Sequence, residues 1–139
     1  MDANMSMDDK VIMGIKSPKD RIKGVHAIVY KCVENHWAIV ALTYKPDNNH
    51  KPEPQLGIRW FYGKNGYPAA GKYKTWFIVP RELREVILDS LKILYSLKPH
   101  DRPKIKNNAF REKIDDFLAG DVSGKELYKF WEEEVCGQK

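Results

Sequence analysis

The 139-residue chain contains only two cysteines and no long apolar run. Cys32 and Cys136 are far apart in sequence, which argues against a disulfide framework and against a cysteine-based zinc site. No apolar stretch approaches the ~20 residues that a membrane-spanning helix needs. The first ten residues are polar and acidic, unlike the basic start and apolar centre of a secretory signal. We therefore expect a cytoplasmic protein with no membrane contact.

The common catalytic signatures are missing as well. The histidines show no HxH or HxxxH spacing, and there is no GxSxG, GxxxxGK[ST], GxGxxG or CxxC motif. Gly63, Gly66 and Gly71 do not lead directly into a helix, so they do not form a phosphate cradle. Asp115 and Asp116 would point to successive positions around one helix instead of converging on a metal. The sequence therefore predicts a protein without enzymatic activity, cofactor or metal.

Charge is distributed unevenly along the chain. Residues 1–111 carry 20 Lys and Arg against 11 Asp and Glu, a net +9, and residues 112–139 carry 4 against 8, a net −4. A basic surface attracts polyanions, nucleic acid first among them. The alternative is that the protein is moderately basic, as many proteins are, and binds nothing anionic.

The apolar patterns predict a single α+β domain. Four strand-like runs follow one another without an intervening helix, which favours an antiparallel meander. A helix that starts after Pro80 and ends near Leu97 would cover one face of this sheet, and a C-terminal helical hairpin would follow. We expect a disordered leader over 1–10, the sheet and its helix over 11–99, and the acidic hairpin over 100–139. The predicted strands are Val25–Val33, His36–Tyr44, Leu56–Tyr62 and Lys72–Val79.

Cap signals define the helices. Gly120 suits the C-terminal cap of a helix over Asn108–Ala119, and Ser123 with Glu126 matches a capping box that starts the last helix. The hairpin has an apolar stripe that needs a partner, which could be the first helix, the sheet or another chain. The first helix has its own predicted apolar stripe, formed by Leu83, Val86, Ile87, Leu91 and Leu94.

The segment 55–97 is the centre of this arrangement. Because side chains alternate across a strand, one face of the third and fourth strands must pack on the first helix. We assign Leu56, Ile58, Trp60, Tyr73, Phe77 and Val79 to that core face. The outer face is then formed by Arg59, Phe61, Lys72, Lys74 and Trp76, with Lys64 and Lys31 nearby.

The first functional hypothesis follows from the predicted outer face. Cations interleaved with aromatic rings on a sheet are typical of proteins that hold single-stranded nucleic acid, since bases stack on the rings and Lys or Arg neutralise phosphates. The nucleic-acid contacts would be Arg59, Phe61, Lys64, Lys72, Lys74 and Trp76. The alternative is that Phe61 and Trp76 are ordinary core beneath the C-terminal helices.

One stretch resembles a known family. Leu56-Gly57-Ile58-Arg59-Trp60-Phe61, then Gly66, Pro68 and Gly71-Lys72, then an aromatic strand and a helix, are similar to the positive cofactor 4 family of transcriptional coactivators. The similarity covers Leu56 to Leu91. It implies a four-strand meander with a helix, a homodimer, and binding of single-stranded DNA. It would make Arg59, Lys72, Lys74 and Trp76 candidates for contact with the strand.

The second hypothesis is a protein-interaction or inhibitory module, such as a phage, mobile-element or immunity-type protein. The loop Gly63–Gly71, with Tyr67 at its tip and Pro68 beside it, would then contact a protein partner, because loops on a rigid scaffold often carry binding residues. Burial separates the two hypotheses. If Phe61 and Trp76 are packed inside, nucleic acid loses its stacking surface and the protein partner is favoured.

Overall fold

Four strands form one antiparallel sheet in the structure, a computed structural model that describes residues 8–63, 65–70, 73–97 and 109–136. The spatial order of the sheet is β1-β2-β3-β6, and β4 pairs with β5 in a separate ribbon. Helices precede and follow the sheet, so the predicted α+β class with a four-stranded antiparallel meander is confirmed. In chain order the strands are β1 (Ile22–Cys32), β2 (Trp37–Tyr44), β3 (Glu53–Trp60), β4 (Ala69–Ala70), β5 (Tyr73–Lys74) and β6 (Phe77–Ile78).

The last predicted strand, Lys72–Val79, is divided into two short pieces, β5 and β6. Thr75 lies between them, and its N–H donates to the carbonyl of Pro68 (3.2 Å). The carbonyl of Thr75 accepts a hydrogen bond from the Arg59 side chain (2.6 Å). Because both backbone groups of Thr75 are occupied, the sheet ladder does not continue through this residue. The prediction of one continuous strand is therefore wrong.

A short helix precedes the sheet. α1 (Asp9–Met13) is capped by Asp8, whose carboxylate accepts a hydrogen bond from the N–H of Lys10 (2.8 Å). Residues 8–10, which the sequence assigns to a disordered leader, therefore belong to this helix and its cap; residues 1–7 lie outside the described residues. Ile12 and Ile15 are buried, so this segment anchors the N-terminus to the core.

The first long helix buries a different side from the predicted one, and residues 98–108, which follow it, lie outside the described residues. A 3₁₀ turn leads into α2 (Arg84–Leu97). Leu88 and Leu91 are buried with Arg84, whereas Leu83 and Val86, two members of the predicted stripe, are exposed. The cause is Arg84, which donates to the carbonyl of Pro54 (2.7 Å) and to Oε1 of Gln55 (2.5 Å). These bonds turn the Arg84 side of the helix toward the sheet.

The C-terminal helical pair is confirmed. It consists of α3 (Ala109–Leu118) and α4 (Gly124–Phe130), with a π-helical turn (Trp131–Val135) after α4. Gly120 follows α3 with a φ of +87°, a conformation that favours glycine. Ser123 forms the capping box with Glu126. The buried residues of this pair are Phe110, Ile114, Phe117, Leu127, Trp131 and Val135.

Two of the three suggested partners contact the helical pair. The ring of Phe117 meets the ring of His26 on β1 edge to face, with centroids 5.4 Å apart. A side chain at position 124 would collide with the same imidazole, so glycine allows α4 to approach the sheet. Arg111 of α3 binds Glu85 and Asp89 of α2, each at 2.9 Å. The pair therefore packs on the sheet and also against α2.

The capping box of α4 gives a stability prediction. The Ser123 hydroxyl accepts a hydrogen bond from the N–H of Glu126 (3.1 Å). We expect Ser123→Ala to lower the free energy of unfolding by about 1 kcal/mol, since loss of an N-cap leaves helix N–H groups unpaired. Ser90→Ala is a matched control, because that hydroxyl only bonds back to the carbonyl of Ile87. Urea unfolding of both variants checks this, and equal midpoints would contradict it.

His26 gives a pH prediction. Its Nε2 lies 2.7 Å from Oγ1 of Thr43, and burial, with a smaller effect of Lys16, lowers the pKa of His26. The unfolded chain therefore binds a proton at this site more readily than the folded chain, beginning below about pH 6.5. We expect the free energy of unfolding to fall as the pH drops below that value. His26→Gln should remove part of this decline. An unaltered pH profile in the His26 variant would refute the assignment.

Candidate functional site

The buried side chain of Arg59 organises the loop that follows β3. The residue is fully buried at the end of that strand. Its Nη1 donates to the carbonyls of Thr75 (2.6 Å) and Pro68 (3.1 Å), and its Nη2 donates to the carbonyl of Asn65 (2.6 Å). One guanidinium therefore connects β3, the loop and the residue between β5 and β6.

The environment of Arg59 is polar without being acidic. Its partners among the described residues are carbonyl oxygens, and the guanidinium lies 5.0 Å from the centre of the Phe61 ring. Burial lowers the pKa of Arg59 to about 10, so it stays charged at neutral pH. A cation in this position stabilises backbone structure through charge-assisted hydrogen bonds. It is not exposed to meet a phosphate.

Gly66 is required by the same arrangement. Its φ is +66°, and a Cβ placed on it would collide with Nη2 of Arg59 and with the carbonyl oxygen of Trp60. Next to it, Trp60 and Tyr67 exchange two backbone hydrogen bonds, of 2.7 and 3.0 Å. The loop is thus closed at its base by backbone pairing and filled on its inside by the guanidinium.

Three aromatic side chains of this loop face solvent, and we call them the aromatic loop surface. Trp60, Tyr62 and Tyr67 expose 38, 55 and 67% of their area. The rings of Trp60 and Tyr67 lie 6.4 Å apart, and Tyr62 meets the ring of His36 edge to face at 5.2 Å. The sequence names Tyr67 as a candidate contact residue and assigns no binding role to Trp60 or Tyr62.

The prediction of an exposed outer face is wrong for three of its residues. Arg59, Phe61 and Trp76 are buried, with 0, 3 and 5% of their area exposed. On the predicted core face, Leu56 and Val79 are buried as expected, whereas Trp60, Tyr73 and Phe77 are exposed. The two rings that were predicted to stack on bases, Phe61 and Trp76, are therefore not available at the surface.

Two contacts explain why these rings are inside. The indole Nε1 of Trp76 donates to the carbonyl of Ile15 (2.8 Å), so the N-terminal segment packs on a side chain that was expected in solvent. The N–H of Phe61 donates to the carbonyl of His36 (2.7 Å), which places Phe61 against the end of the β1–β2 hairpin. Both contacts join residues far apart in sequence, and the alternation of side chains along one strand does not predict such contacts.

The remaining predicted contact residues have separate positions. Lys74 is half-buried on β5, and Pro68 is half-buried in the loop, where its carbonyl accepts the bond from Arg59. Lys64 and Lys72 lie outside the described residues. The structure therefore keeps Tyr67 and Pro68 together in the loop and pairs Lys74 with Ala69 on the short ribbon beside them.

Within 8–63, 65–70, 73–97 and 109–136, no three His, Cys, Asp or Glu side chains are grouped so that they could hold a metal ion. In that part of the chain no helix has the length and apolar character needed to cross a membrane.

No family model, curated protein or solved structure matches the chain. The resemblance to the positive cofactor 4 family stays a prediction from the sequence. The assignment of function therefore rests on the geometry described above.

The role of Arg59 can be tested by stability. Arg59→Met keeps an unbranched side chain of similar reach but removes the donors to the carbonyls of Asn65, Pro68 and Thr75. We expect a loss of about 2–4 kcal/mol in the free energy of unfolding, because buried carbonyls lose charge-assisted hydrogen bonds. Arg81→Met, at an exposed position, should change it by no more than about 0.5 kcal/mol. Denaturant unfolding of both variants checks this, and similar losses in the two would contradict the structural role.

Proposed function

We propose that the protein is a non-catalytic interaction module that binds a protein partner through the aromatic loop surface. The observation that carries this proposal is the exposure of Trp60, Tyr62 and Tyr67 on a loop whose backbone is fixed from inside by Arg59. The rings of Trp60 and Tyr67 lie side by side, and adjacent exposed apolar groups commonly mark an interaction site.

The residue types favour a protein partner. Tryptophan and tyrosine are enriched among the few residues that contribute most of the binding energy at protein interfaces. They offer a large contact area with few rotatable bonds, and a prearranged loop loses little conformational freedom on binding. The backbone bonds between Trp60 and Tyr67 supply that prearrangement here.

Nucleic acid is less well suited to this surface. Affinity for nucleic acid depends largely on Lys and Arg that neutralise phosphates. The three rings of the surface are uncharged, and Arg59 beneath them is buried. Lys64 belongs to the same loop in sequence but lies outside the described residues.

The surface also indicates what the partner should present. Two tyrosine hydroxyls and an indole N–H accompany the apolar rings, so a matching patch would combine an apolar pocket with hydrogen-bond acceptors at its rim. Binding of this kind needs no chemistry from the module. An inhibitory role, in which the loop occupies a functional groove of the partner, is consistent with it.

Capture of the partner tests the proposal. The purified protein would be immobilised and used to recover binding partners from a lysate of the cells that produce it. We expect one protein in stoichiometric amount, and a dissociation constant raised at least about 30-fold by Tyr67→Ala or Trp60→Ala, as for other aromatic hot spots.

Tyr128→Ala is the matched control, because Tyr128 is an exposed tyrosine on α4, away from the loop in the chain. It should retain the partner at the wild-type affinity. Recovery of nucleic acid alone, or a partner that binds both loop variants as tightly as the wild type, would overturn the proposal. Light scattering on the same sample checks the homodimer that the family resemblance implies.

A further inference from the structure

A cleft with three lysines lies apart from the aromatic loop surface. It has a volume of about 410 Å³ and separates the N-terminal segment from β5. Lys10 and Lys16 line the cleft from the N-terminal segment, and Tyr73 and Lys74 line it from β5. The bond between the Trp76 indole and the carbonyl of Ile15 joins the two walls behind the cleft.

The lysines of the cleft have no counter-ions in the described part of the chain. No ion pair or side-chain hydrogen bond of Lys10, Lys16 or Lys74 occurs among the described residues. Among the acids close to Lys10 and Lys16 in sequence, Asp9 pairs with Lys31 (2.8 Å), Asp20 pairs with Arg21 (3.7 Å), and Asp8 accepts the N–H of Lys10. Like charges that converge without a counter-charge raise the local positive potential and favour an anion.

A second pocket, of about 320 Å³, adjoins the cleft. The two share Ser17 and Tyr73, and the second is also lined by Pro18, Lys19 and Thr75. The ring of Tyr73, which is 57% exposed, therefore borders both spaces. A proline and a tyrosine ring offer flat apolar surfaces on which a planar ring can stack. The combined site has a cationic half and an apolar half, and its size is typical of ligand sites.

We propose that this cleft binds a nucleoside phosphate, either free or as a unit of a single strand, with its phosphate near Lys10, Lys16 and Lys74 and its base against Tyr73. Lysine supplies point charges for phosphate, and base–aromatic stacking tolerates any base. The proposal uses Lys74, which the sequence predicted as a contact, but on a surface other than the sheet face. It does not depend on the proposed protein partner.

Fluorescence anisotropy with a labelled single strand of about 12 nucleotides tests the inference. We expect binding at about 50 mM salt that weakens strongly by about 200 mM. Lys16→Ala and Lys74→Ala should each lower the affinity and reduce the slope of log affinity against log salt by about 1. Tyr73→Ala should lower the affinity roughly 5- to 150-fold and leave the slope unchanged.

Matched controls separate this site from general basicity and from the loop. Lys51→Ala removes one charge from an exposed lysine outside the cleft, and Tyr67→Ala removes an exposed ring of the aromatic loop surface; neither should lower the affinity. Unlabelled competitors of the labelled strand identify the form of the ligand. Competition by a mononucleotide at equal site occupancy identifies a free nucleotide, and competition by oligonucleotides alone identifies a strand. Either result supports the site. Absence of binding at about 50 mM salt, or equal losses in the Lys51 and Lys74 variants, would overturn it.

Discussion

The hydrogen bonds of the Arg59 guanidinium are the contact on which the central part of the molecule depends. A charged group loses its hydration when it is buried, and that loss must be offset by strong hydrogen bonds. Arg59 gains them from the carbonyls of Asn65, Pro68 and Thr75, which are 6 to 16 residues away in the chain. Because these oxygens come from different parts of the chain, one side chain holds three points between β3 and β6.

A second buried arginine acts at the opposite end of the same strand. Arg84 donates to the carbonyl of Pro54 and to Gln55, whose amide in turn donates to Glu53 (2.5 Å). Burial is the largest effect on the pKa of Arg84 and lowers it. β3 is therefore held at its start by an arginine from α2 and ends in an arginine that holds the following loop. Apolar packing alone does not determine these connections, since each depends on a hydrogen bond with a defined direction.

Local patterns in the sequence were sufficient for the elements that local physics determines. The cap at Ser123 and the glycine at 120 were found because each depends on neighbours within a few residues. The buried faces of the strands at 59–61 and 73–77 were not predicted correctly, because aromatic residues occupy both faces there. Alternation shows which side chains share a face but does not show which face is inside.

The inside face at these positions was selected by contacts that span the chain. Trp76 is buried by Ile15, which is 61 residues away, and Arg59 reaches Thr75, 16 residues away. The signal available in the sequence was an arginine directly before three aromatic residues, followed by glycines at 63 and 66. A buried guanidinium needs carbonyls from an irregular loop, and glycine lets that loop approach it closely. That combination indicates a buried arginine, although the same residues on an exposed face would suit nucleic acid.

The division of the last strand at Thr75 links the two candidate surfaces. By accepting the bond from Arg59, Thr75 ends the ladder and separates β5 from β6, which puts Tyr73 and Lys74 on a small ribbon beside the N-terminal segment. The same guanidinium holds the loop that carries Tyr67. The two surfaces therefore share an anchor but no side chain. A change at Arg59 affects both, whereas a change at an exposed ring affects one, so surface substitutions can assign each binding activity separately.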